Sequence, residues 1–214
     1  MKSTSLVKAG LITISLAFSA ASHAQFGLPS LPGMSKSGGS AAPAEKAEDV
    51  VKNARNSLVS FVKAKLGLIE AMGGSEDLAA QKKLLDGLQK GDAAASTDEL
   101  KTIVSLDKAT GDMINKKSAE HAKLDAKNKT LASQSMLEYV NGLVSAKKMV
   151  GSVTNLSKNP LSLGSNMGAV SFLASELPTI VSSASSTTST LFEYLNSNGV
   201  DTSKAKEVAA GMGT

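Results

Sequence analysis

Three serine–lysine pairs stand at the spacing that nucleophilic chemistry would use: Ser60 and Lys63, Ser105 and Lys108, Ser145 and Lys148. On a helix, that spacing sets a lysine amine one turn from a hydroxyl, close enough to act as its base. Three such pairs in a chain rich in both residue types reflect composition. No Gly-x-Ser-x-Gly elbow accompanies them. His121 has Asp125 four residues on, so the two can pair on one helix face. A His–Asp dyad still needs a nucleophile, and a metal needs more ligands than one imidazole. His121 therefore reads as an exposed histidine with a local salt bridge. Asp92, Asp98 and Glu99 do not follow calcium-loop spacing. No phosphate-binding Gly-x-x-x-x-Gly-Lys-Ser/Thr loop occurs. On these grounds no catalytic, metal-ligating or cofactor-binding residue is assigned, and no cofactor is expected.

Composition narrows the classes further. The chain has 214 residues, 23 Lys+Arg against 19 Asp+Glu, and no cysteine or tryptophan. Without cysteine there is no disulfide framework, thiolate metal site or thiol nucleophile. The sequence pI near 9.2 invites a nucleic-acid reading. Arg55 is the sole arginine and aromatics make up 3% of the chain, so guanidinium forks and stacking platforms are scarce. No nucleic-acid partner is expected. Lys116, Lys117, Lys123, Lys127 and Lys129 form one basic cluster, interleaved with Glu120 and Asp125. It reads as a solvated helix face, with contact to an anionic surface, lipid headgroups or polysaccharide, as the alternative.

Residues 1–24 read as an address. Lys2 and Lys8 precede an uncharged, largely apolar run over 9–21, followed by Ser22-His23-Ala24. That is the order of a secretory signal with small residues before a cleavage site between Ala24 and Gln25. The run is short for a bilayer span, which takes roughly 20 apolar residues. Cleavage would remove two lysines and no acid, taking the formal charge from +4 to +2 and leaving 190 residues. The expected location is a bacterial periplasm or beyond. Residues 25–44 carry Gly and Pro at a density that breaks both helix and strand periods, so a flexible arm is expected there. Its apolar part, with Phe26, Leu28, Leu31 and Met34, has the composition of a docking peptide.

The elements that would position any site are helical. Val51, Ala54, Leu58, Val62, Leu66 and Ile69 step by three or four residues, and Gly73-Gly74 ends the run. Ser75 then precedes Glu76 and Asp77 as an N-cap, and a helix bearing Leu78, Leu84, Leu85 and Leu88 runs toward Gly91. Ser96 and Glu99 match a capping box. The polar stretch 116–129 is either a helix in solvent or a break between two helices. A stripe from Leu131 to Val150 closes at Asn159-Pro160. Pro178 is expected to kink or restart the following helix. Asn198-Gly199 stops it, and a short last helix follows over 203–210. No alternating strand pattern competes. The expected fold is all-α: an up-and-down bundle of five or six helices over 45–214, after the leader and the arm.

Residues 161–192 stand apart. They contain no basic residue and only Glu176 among the acids. Gly164-x-x-x-Gly168 is a spacing that lets helix backbones approach closely. The hydroxyl run from Ser182 to Thr190 can bond back to carbonyls one turn earlier. The segment reads as the central, closely packed helix, with Gly164, Gly168, Phe172 and Leu177 at the packing surface or at a groove for an apolar ligand. Three functions remain in play: an exported, non-enzymatic module that binds a protein or the cell envelope; a carrier or modulator of apolar ligands or membrane lipid; and an enzyme with carboxylates and lysines gathered by the fold.

Overall fold

The computed structural model describes residues 46–74, 78–89, 95–121 and 123–211. All lie in the second of two compact units, Ala44–Thr214. The expected leader, its Ala24–Gln25 cleavage site and the arm residues Phe26, Leu28, Leu31 and Met34 fall outside the described residues. Within them there are six α-helices: α1 Ala47–Ala71, α2 Ala79–Gln89, α3 Thr97–Ala119, α4 Ala126–Ser157, α5 Met167–Ser197 and α6 Ser203–Ala210. Two short 3-10 turns, Pro160–Ser162 and Gly164–Asn166, join α4 to α5. The protein is an all-α bundle, and the described residues contain no strand.

Local signals set several helix ends. Gly73 (φ +80°) and Gly199 (φ +69°) take the left-handed conformation just past α1 and α5, where a side chain would be strained. The Ser96 hydroxyl accepts from the Glu99 amide at 3.1 Å to open α3. The 116–129 stretch resolves as a break. Helix α3 runs on to Ala119, His121 turns the chain at φ +49°, and α4 begins at Ala126. Asp125 does not share a helix with His121; its carboxylate accepts from the Asn128 amide at 2.7 Å and caps α4. Pro178 does not restart a helix, since α5 is continuous through it. The ring is exposed, and Leu177 and Ile180 beside it stay in the core. Burial on both sides holds the helix together where one backbone bond is missing.

The central helix is α1, not the one over 161–192. The expected stripe (Val51, Ala54, Leu58, Val62, Leu66, Ile69) is buried, and so are Phe61, Ala64, Lys65 and Leu68 around it. Helices α4 and α3 pack along α1, α5 closes the far side against both, and α2 and α6 cover outer seams. Helix α5 keeps one face in the core through Val170, Leu173, Leu177 and Leu191. Of its hydroxyl run, only Thr188 is buried; Ser182, Ser183, Ser185, Ser186 and Ser189 face solvent. Their back-bonding, as in Ser185 to the Val181 carbonyl at 2.7 Å, suits a surface equally well.

Helix directions follow from the cross-helix contacts. Arg55 meets Glu99 and Lys65 meets Asp107, so α1 and α3 run parallel. Gly67 lies against Ser135 and Gly142 against Phe61, so α4 runs opposite to α1. Tyr139 reaches the Ala184 carbonyl and, at the start of α4, the Leu124 amide reaches Asn198 at the end of α5, so α5 runs opposite to α4. Three of the four long helices thus point one way and α4 the other, with short α2 making the return between α1 and α3. The close backbone approach in this bundle is between α1 and α4. A Cβ on Gly142 would stand 2.9 Å from the Phe61 ring and 3.2 Å from its Cα, and one on Gly67 would overlap the Ser135 hydroxyl. Gly164 and Gly168 do not act together: Gly164 is in the turn before α5, at φ +53°. Gly168 opens the helix, where a Cβ would come within 3.1 Å of Thr97 Oγ1.

Candidate functional site

The chemistry-bearing side chains gather in two places, a buried polar seam and a surface cleft. The seam begins at Arg55, on the buried side of α1. Its Nε donates to Glu99 Oε1 at 2.7 Å, and another guanidinium nitrogen donates to the Leu88 carbonyl of α2. One arginine therefore joins α1, α2 and α3. Glu99 spends its carboxylate here, in addition to its place in the first turn of α3.

Two to three turns along, Lys65 Nζ donates to Asp107 Oδ1 at 2.7 Å and to the Asp107 carbonyl at 3.1 Å. Both side chains are under a tenth exposed. The ammonium also stands 4.7 Å from the centre of the Phe61 ring, a cation–π distance. Phe61 packs on Tyr139 at 4.8 Å between ring centres. Tyr139 Oη donates to the Ala184 carbonyl at 3.0 Å, which also accepts from Thr188 Oγ1 at 2.7 Å. The polar and aromatic groups thus form one line across α1, α3, α4 and α5. Burial pushes the Tyr139 phenol well above its ordinary range; the Thr188 hydroxyl opposes this and the Asp107 charge adds to it. The phenol is locked as a donor.

Burial also pushes the Asp107 carboxyl above its usual 3.8, and the charge and hydrogen bond of Lys65 oppose that only in part. A carboxyl raised in the folded state contributes stability below its unfolded pKa and loses it as pH rises through the folded value. Asp107→Asn removes this titration. The stability of the native chain relative to that variant is expected to fall as pH climbs from about 3.8, then to level off. Urea unfolding of both proteins across this range checks it. A relative stability that rises with pH would mean the lysine wins over burial.

The cleft lies between α1, α2 and α4 and has a volume of about 420 Å³. Lys63, Glu70, Lys82, Asp86 and Glu138 line it, with Leu66 and Leu85 at its floor. Lys82 bridges Glu70 at 2.7 Å, both nearly half exposed, so the pair is screened by water. A second groove of about 490 Å³ opens between α2 and α3, lined by Gln81, Leu84, Leu106 and Ala109, with Lys101 on its wall. Neither is lined by Lys65, Asp107 or Tyr139. The buried ionisable groups and these two spaces are in different places. No three His, Asp or Glu side chains among the described residues converge to hold a metal.

The residues singled out from sequence fall as follows. Leu177 is in the core, Phe172 is half-buried against it, and neither they nor Gly164 nor Gly168 line either space. His121 is exposed in the α3–α4 turn. Exposed large apolar side chains instead occur at Leu161 and Met167, in and just after the α4–α5 connection, and at Leu84 on α2. The seam was missed, though it left a signal. Lys65 is embedded in an apolar stretch, and Leu100, Ile103, Asp107, Thr110 and Ile114 step by three and four along one face of α3. A charge inside such a stripe needs a partner.

What these features define is a cysteine-free helical bundle in which no described helix is long and apolar enough to cross a membrane. Compared with protein families, curated proteins and solved structures, the chain matches none.

Proposed function

We propose that the chain is an exported bacterial module that acts by binding, to a protein or to the cell envelope, rather than by catalysis. The separation of its buried ionisable groups from its open spaces carries this reading. Arg55–Glu99 and Lys65–Asp107 are spent on holding helices in register, out of reach of a substrate. The leader-like residues 1–24 support export, and the apolar segment with Phe26, Leu28, Leu31 and Met34 supports a docking arm on a rigid body.

Two measurements test it. Intact mass of the chain from its own host is expected to show loss of residues 1–24; a retained N-terminus would remove the export half of the proposal. Deleting residues 25–44 is expected to abolish co-purification of partners and leave the helical CD spectrum unchanged. Unchanged co-purification would take the arm out of the proposal.

The cleft between α1, α2 and α4 favours a second reading, an enzyme using gathered carboxylates and lysines, because Glu70, Asp86, Glu138, Lys63 and Lys82 all line it. Against it, the Glu70–Lys82 pair is solvent-exposed, where charge pairing and pKa tuning are weak.

A further inference from the structure

One end of the bundle collects the C-termini of α1, α3 and α5, the α3–α4 turn, the N-terminus of α4 and the start of α6. Contacts tie these pieces together: the Leu124 amide donates to Asn198 Oδ1 at 3.0 Å, Ser133 Oγ donates to the Asp201 carbonyl at 2.6 Å, and Lys129 Nζ stands over Gly199. Between 116 and 129 this end carries five lysines against two carboxylates. The two carboxylates are engaged, Glu120 by Lys117 at 3.0 Å and Asp125 by the cap of α4. Asp201, on the α6 side, accepts from the Ser203 amide and hydroxyl. Lys204 and Lys206 follow, with Glu207 between α6 and solvent.

Helix electrostatics accounts for part of this charge only. Lys116 and Lys117 stand in the last turn of α3, where a cation offsets the helix dipole. Lys123 and Lys127 stand just before and within the first turn of α4, at the positive end of its dipole, where a cation is unfavourable, while Lys129 reaches from α4 to Gly199 at the negative end of α5. None of the three is in an ion pair among the described residues.

We infer that this lysine-bearing end is a docking face for an anionic lipid bilayer, which it meets peripherally. The composition of the face favours lipid over nucleic acid. Its cations are all lysines, compact charges suited to a diffuse anionic surface, whereas the one arginine is buried under Glu99 and Leu88. Among the described residues, the ring at this end with a cation over it, Phe192 under Lys206 at 5.8 Å, is half-buried against the core and is not presented as a stacking platform. This inference rests on the interaction-module reading only for placing the chain where it reaches such a membrane.

The test uses the chain purified from its own host and a Lys123→Gln, Lys127→Gln, Lys129→Gln triple variant. Both are floated with phosphatidylcholine vesicles, with and without about a third phosphatidylglycerol, at ionic strengths of about 0.01 M and 1 M. The native chain is expected to float with the anionic vesicles at low salt, and not at high salt or with pure phosphatidylcholine. Each lysine near such a surface contributes about 1 kcal/mol, or about fivefold in affinity, so the triple variant loses about a hundredfold. Its melting temperature is expected to stay about level, because removing Lys123 and Lys127 relieves the α4 dipole while removing Lys129 gives up a cation at the end of α5. Equal flotation of variant and native chain would overturn the inference. So would a lower melting temperature with unchanged flotation, or binding to duplex DNA or dextran sulfate without binding to vesicles. If flotation fails while deletion of 25–44 still abolishes co-purification, the bilayer face is wrong and the interaction module stands.

Discussion

Lys65→Met is expected to destabilise the protein by about 3–5 kcal/mol. The substitution keeps the aliphatic stem but leaves the Asp107 carboxylate in the core without its ammonium, and the cation over the Phe61 ring is lost as well. For a domain of this size the melting temperature should drop by about 2–4 °C per kcal/mol. The double variant Lys65→Met, Asp107→Leu removes both charges and is expected to recover most of the loss, because two apolar side chains incur no desolvation penalty. Chemical unfolding at neutral pH of the native chain, the two single variants and the double variant gives the coupling directly. A Lys65→Met loss under about 1 kcal/mol would mean that water reaches the pair. A double variant as unstable as the single one would mean that the pair also selects the helix arrangement. Arg55–Glu99 and Lys65–Asp107 occur in the same order along α1 and α3, so together they match the two helices in parallel and in one register.

Phe61→Ala is the other large effect, about 3–5 kcal/mol. The ring is fully buried and fills the space left by the missing side chain of Gly142, so truncation opens a cavity at the tightest contact between α1 and α4. It also removes the packing on Tyr139 and the face that Lys65 occupies. Phe61→Leu separates these contributions: it restores much of the volume and none of the ring, so the deficit that remains reports the aromatic and cation–π part, about 1–2 kcal/mol. Unfolding midpoints of the two variants make the comparison. If alanine and leucine cost the same, the site is tuned to the ring rather than to volume; if alanine costs under about 1 kcal/mol, α4 closes onto α1 without it.

Much of the helical layout was legible because helix signals are local. The stripe on α1, the Ser96 cap of α3, the glycine stops at Gly73 and Gly199 and the range of α6 all depend on residues within one or two turns, and each has the role its position suggested. Local signals misled where tertiary burial competed with them. Pro178 was expected to kink or restart the helix; it does not restart it, because a buried face on either side of the ring carries α5 through. The Gly164–Gly168 spacing looked like a helix contact, yet the first glycine is spent on a turn. The charge-poor 161–192 looked central because it lacks ions, but serine and threonine hydroxyls satisfied by their own backbone can face water without charge.

Composition and the 3.6-residue period are properties of the chain alone, and from them follow the all-α class, the lack of thiol chemistry and the single arginine. Which helix is central, which glycines let backbones meet and which charges pair depend on how distant helices pack. Glu99 and Asp107 stand 44 and 42 residues from their partners, so no local rule links them. Their pairing follows from α2 returning the chain so that α3 lies parallel to α1, a choice made by the burial of whole helix faces. The same folding separates the buried ion pairs from the open cleft and brings the lysines of the α3–α4 turn and of α6 to one end. A binding surface of this kind is a sum over distant segments, and the sequence lists its parts without saying that they meet.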